Sequence, residues 1–191
     1  MIEQKNTSKT RERFDPFTDR TARDMRNALS EAFVAALDAK NPDGVGPTAQ
    51  RWREQNLSSI HSTYIDTRLR RYRHVFNAIR SGNVNDPLQQ ALIIWNQGLF
   101  FEFHDHLEAI WKSATGDKRQ ALKGLIKAAG VYIHLEQKHQ QAAQSLAAKA
   151  LALLLQHRHC LTFIANPETL LNKLKTIDPD PPQLDIASFA D

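Results

Sequence analysis

The chain has a single cysteine, Cys160, among 191 residues, which excludes an internal disulfide and any cysteine-built zinc module. Glycine and proline are scarce, at seven and eight, and most of them fall between periodic segments. No apolar run reaches the roughly 18 residues of a membrane-spanning helix. The richest, residues 147–155, is broken by Lys149. Strand signals are missing too: no turn dipeptide is flanked by alternating Val, Ile and Thr, and Asp43 with Gly44 lies in a polar stretch. There is no phosphate-binding loop, nucleophile elbow or HExxH motif. The first residues are charged, without an apolar core or a cleavage site, so the expected address is the cytoplasm.

What is present suits helices. The composition is 41% apolar and 24% charged, well outside the disordered range. Its net charge of +4 is unevenly placed: residues 1–82 hold 15 Lys and Arg against 10 Asp and Glu, and the remainder holds 10 against 11. The cations therefore belong to the N-terminal half.

Apolar spacings of three and four predict the elements. Residues 18–39 carry Ala22, Met25, Leu29, Phe33 and Leu37 on one stripe, and residues 58–79 repeat it with Ile65, Leu69, Tyr72 and Phe76. Residues 41–47 read as a loop and the stretch around Trp52 as a short helical piece. Asp86 and Pro87 form a helix start, a capping carboxylate before a residue with no N–H to leave unpaired. Asn96, Gln97 and Gly98 break the pattern before a helix over 99–114, and Asp117 is the expected cap of a helix reaching 137. Further helices are expected over 141–156 and, after Pro167, over 168–175. The predicted fold is all-α with six to seven helices. Its parts are a flexible N-terminus (1–17), an N-terminal helical pair (18–82), a bundle (83–160), and a short helix with a mobile, proline-rich tail (161–191).

The densest polar constellation lies on the helix over 99–114. At roughly 100° per residue, Phe100, Phe103, Leu107 and Ile110 form an apolar face with Glu102 and His106 opposite. His104 and Glu108, four apart, can meet at the margin, where burial and a carboxylate tune an imidazole for acid–base work. Asp105 adds a second carboxylate. On the next helix Lys123, Lys127, Gly130 and His134 share a strip, with Gly130 leaving room for close approach. His157 and His159 are expected to point apart on a helix. A lone Glu-x-x-His element, Glu136 with His139, falls short of the pair that a di-iron bundle needs. No metal and no cofactor are expected.

The run from Trp95 to Trp111, with Asn96, Gly98, Phe101, Glu102, His104 and Glu108 in it, followed by Leu122, Gly124, Leu125, Ile126 and His134, resembles the family called domain of unknown function 309. The likeness covers roughly residues 87 to 157. Asp105 stands where that family usually has Glu, and Lys123 and Lys127 where Gln is common. The resemblance implies an antiparallel helical bundle with tetratricopeptide-like hairpins and no established activity. It singles out Glu102, His104, Asp105, Glu108, Trp111 and His134 as a set.

Two functions are weighed. A non-catalytic module would bind a protein partner or small ligand in a groove around His104, Glu108 and Trp111, with Glu102, Lys127 and His134 as further ligand contacts. A hydrolase-like enzyme would use His104 as general base oriented by Glu108, with Asp105 and His134 completing the pocket. The absence of a complete catalytic set favours the first. Arg70, Arg73 and Arg80 can align on one helix as an anion site, but without a stacking platform any nucleic-acid binding is expected to be weak and salt-dependent.

Overall fold

The computed structural model describes residues 13–187. Eight α-helices follow in order: α1 (Arg20–Asp38), α2 (Gly46–Arg53), α3 (Ser59–Ser81), α4 (Pro87–Asn96), α5 (Phe100–Ser113), α6 (Gly116–Glu136), α7 (Gln140–Gln156) and α8 (Pro167–Thr176), with a 3-10 turn, Arg158–Cys160, between the last two. Among the described residues there is no strand beyond an isolated bridge between Ile164 and Ile186. Among the described residues no helix is long and apolar enough to cross a membrane. Eight helices form rather than six or seven, because the short pieces are complete helices; α2 starts inside the expected loop, with Pro47 in its first turn.

Local chemistry sets most boundaries. The Asp19 carboxylate accepts from the amides of Thr21 and Ala22, and that of Asp86 from Leu88 and Gln89, so two orphan amides are satisfied at each start. The expected cap Asp117 instead sits inside the first turn of α6, after the cap residue Thr115. Gly98 joins α4 to α5 at φ +64°, a left-handed conformation that glycine adopts without strain.

Adjacent helices pack against one another. α6 is central, lying against α5 and α7, while α1 rests on α5 and α3 on α4. Trp95 of α4 meets Phe100, Phe103 and Tyr132 edge-on at 5.0, 5.1 and 5.3 Å between ring centroids, joining three helices. Residues 177–187 of the expected mobile tail are extended as expected but docked, and residues 188–191 lie outside the described residues. Trp95 Nε1 donates to the Pro182 carbonyl at 2.8 Å, and the Asn96 amide exchanges two hydrogen bonds with the Leu184 backbone. Leu184 is buried behind them. At the other end, residues 1–12 of the expected flexible segment lie outside the described residues. Residues 13–17 make defined contacts: Phe14 stacks on Tyr64 of α3, and Gln137 donates to the Phe14 carbonyl.

α6 and α7 approach closely at Gly124, where an added Cβ would lie 2.8 Å from Leu154 side-chain atoms. Gly130 is also a helix contact: the room it leaves is taken by Leu146, 3.1 Å from a built Cβ. Gly124→Ala is therefore expected to destabilise the fold by about 1–3 kcal/mol through overpacking. Urea unfolding checks it, and a neutral or stabilising result would show that the two helices separate at little cost.

Candidate functional site

Helix α5 exposes only the part-buried Phe101, His104 and Asp105 along its first two turns. Phe100, Phe103 and Leu107 are buried in the bundle as the spacing predicts, yet Glu102 and His106, expected on the polar side, are buried too. The helices N-terminal to the bundle cover them. The candidate polar site therefore lies where those helices meet α5.

Glu102 is its centre, with no exposed surface. Its Oε1 accepts from the Tyr72 hydroxyl at 2.7 Å and lies 3.6 Å from Arg68 Nε, while Oε2 has no hydrogen-bond partner. Tyr64, Arg68 and Tyr72 recur every four residues on α3, one above another on a single face. The guanidinium of Arg68 lies over the Tyr64 ring at 4.8 Å, and Arg71 donates to the Gly98 carbonyl at 3.1 Å. Burial opposes the charge on Arg68, but Glu102 and the two tyrosine hydroxyls outweigh it and hold the group firmly protonated. Burial raises Tyr72 well above the ordinary tyrosine value, and Glu102 adds to this. Burial also pushes Tyr64 up to about 12, and its hydroxyl has no hydrogen-bond partner.

A cleft of about 220 Å³ opens beside this cluster, lined by Phe14, Arg26, Tyr64, Arg68, Phe101 and Glu136 among others. The Arg26 guanidinium lies 3.8 Å over the Phe101 ring and, among the described residues, hydrogen-bonds only to Asn27. Desolvation lowers its pKa. Glu136 is exposed at the rim, with its carboxyl raised by crowding among protein atoms and by Glu102.

The residues singled out from the sequence fall into separate places. His104 Nδ1 is 3.2 Å from Asp105 Oδ1, whereas Glu108 lies 3.8 Å from Nε2, beyond a hydrogen bond. Asp105 also accepts from Ser30 of α1 at 2.6 Å. This chain of Ser30, Asp105 and His104 differs from a nucleophile triad, because the carboxylate stands between hydroxyl and imidazole. His134 is near neither: its Nδ1 is 3.4 Å from that of His139, and Phe17 packs on both rings. Trp111 lies under Arg119, which bonds the last carbonyls of α5. Lys127 is half-buried and makes no hydrogen bond or ion pair among the described residues. Arg70 and Arg73 line one cleft beside the Arg53 and Asp66 ion pair, while Arg80 lines another.

Two further histidines depart from expectation. His157 and His159 converge on Asp117, at 3.2 and 3.1 Å, because they sit in and beside a 3-10 turn rather than on an α-helix. No group of three or more His, Cys, Asp or Glu among the described residues could hold a metal ion. His106 places Nε2 3.0 Å from the Pro87 carbonyl, and burial lowers its pKa although that carbonyl and Asp38 act the other way.

Reasoning from sequence missed Arg26 and Ser30 and did not assign Tyr64, Arg68 and Tyr72 to the site. One signal was available: Arg68 interrupts an apolar stripe between two tyrosines at helical spacing, and a buried guanidinium requires a buried anion.

The family model described as Domain of unknown function (DUF309) matches residues 88–146. These comprise nearly all of α4, then α5, α6 and the start of α7; α1, α2 and α3 lie N-terminal to them. No curated protein and no solved structure matches the chain significantly.

Tyr72→Phe is expected to cost about 1.5–3 kcal/mol, because it removes a hydrogen bond to a buried carboxylate that has one oxygen unpartnered already. A loss below half a kcal/mol in urea unfolding would contradict a charged, desolvated Glu102. For His106 the sign follows from its lowered pKa. Above the ordinary histidine value of about 6.5 both states are neutral; as pH falls below it the unfolded chain binds a proton that the native state resists. Stability should thus be full above that value and decline below it, and His106→Gln should make the decline shallower. An unchanged slope would contradict this.

Proposed function

We propose that this chain, built on a DUF309 domain with helices N-terminal to it, is a non-catalytic module that binds a small molecule in the cleft between α1, α3, α5 and α6. The single observation that carries the reading is Tyr64, a residue of the cleft wall whose hydroxyl, buried beside Arg68, makes no hydrogen bond of good geometry. A buried polar group without a partner costs about 1–3 kcal/mol, a cost that a ligand hydrogen bond removes. The reading moves the site along the same strip of α5 toward its N-terminus, from His104, Glu108 and Trp111 to Phe101. Packed helical hairpins, which tetratricopeptide-like modules use to form such grooves, are consistent with it.

A hydrolase with His104 as general base has less support. Ser30, the one hydroxyl joined to that histidine, is buried and reaches it only through Asp105. The charged neighbours of the imidazole orient it without bringing it a nucleophile.

Thermal-shift screening of a metabolite library, with Tyr64→Phe and His104→Ala run in parallel, tests the proposal. It expects stabilising compounds whose effect is lost in Tyr64→Phe and kept in His104→Ala. Turnover of ester, phosphate or nucleotide substrates that His104→Ala abolishes would overturn it.

A further inference from the structure

The cleft has a neighbour. A second, more open hollow of about 510 Å³ lies against Phe14, Ser59, Ile60, Thr63, Tyr64 and Thr67. Phe14 and Tyr64 wall both spaces. The Phe14 ring lies flat on Tyr64, with centroids 3.5 Å apart and planes 3° from parallel. Aromatic pairs favour offset or edge-on arrangements at about 4.5–7 Å, so this sandwich is electrostatically poor and held by its tether. With Phe14 in place the inner cleft falls short of the roughly 300 Å³ where ligand pockets begin; with Phe14 lifted, the two spaces become one trench over Tyr64.

The inner end holds Arg26 and Arg68 with Glu136 at the rim, and Glu102 and Asp105 act on Arg26 from a distance, but the two cations are not equally paired. Arg68 is compensated by Glu102. Arg26 is half-buried, stacked on Phe101, and has no carboxylate within ion-pair distance among the described residues. A desolvated cation in that condition favours a bound anion.

Resting on the small-molecule reading above, we propose that the ligand is a planar aromatic monocarboxylate. Its ring takes the place of Phe14 on Tyr64, and its carboxylate pairs with Arg26. Phe14 is a built-in stand-in for that ring, supplied by the segment that leads into α1. The Arg26 fork matches a carboxylate, and the flat slot excludes a saturated ring.

Isothermal titration of the full chain with benzoate, benzamide and cyclohexanecarboxylate tests this. Benzoate is expected to bind at least about tenfold more tightly than the neutral amide or the saturated acid. Arg26→Gln should abolish that preference for benzoate over benzamide, and Arg26→Lys, which keeps the charge without the fork, should retain only part of it. Phe14→Ala should tighten benzoate binding by removing the competing ring. Equal binding of benzoate and benzamide, or weaker benzoate binding by Phe14→Ala, would overturn the proposal. If none of the three binds while another compound stabilises the protein through Tyr64, this inference falls and the module reading stands. If no compound of any kind binds, both fall.

Discussion

A carboxylate with no access to water has to be compensated where it stands, and the arrangement of this protein around Glu102 follows from that requirement. An uncompensated ion in such a place costs several kcal/mol even after relaxation. The residues that compensate Glu102, Arg68 and Tyr72, come from α3, outside the DUF309 domain. The N-terminal helices are thus more than an appendage: they close the face of α5 that would otherwise present Glu102 and His106 to solvent.

The same junction builds the candidate site. The Gly98 carbonyl, turned by its left-handed backbone, receives Arg71; Asp105 receives Ser30; Phe101 receives Arg26. Each contact joins an α5 or pre-α5 residue of the matched region to an N-terminal helix. The motif's other half serves packing elsewhere. Trp95 and Asn96 bind the C-terminal segment, and Gly124 admits Leu154 of α7.

Helix positions were legible in the sequence because they depend on local terms: apolar period, the capping carboxylate Asp86, and proline in the first turns opened by Pro87 and Pro167. The stripe of Phe100, Phe103 and Leu107 was legible for the same reason. What failed was the assignment of the opposite face. A helix covered on both sides looks amphipathic when its second cover is polar, so Glu102 and His106 read as solvent-facing. The tail was misjudged similarly. Its prolines report an extended backbone correctly, but nothing local reveals that Asn96, nearly ninety residues away, bonds it in place. His104, Glu108 and His134 share helical strips with plausible partners, and period alone cannot tell that His134 turns to His139.

The most direct test of this account is a double-mutant cycle on Glu102→Leu and Arg68→Met, read by urea unfolding of the full chain. Each single change leaves one buried charge without its partner and is expected to cost about 3–5 kcal/mol, while the double change, which removes both charges, should cost clearly less than the sum. Additive losses would contradict the claim that these two charges, desolvated together, tie the N-terminal helices to the DUF309 domain.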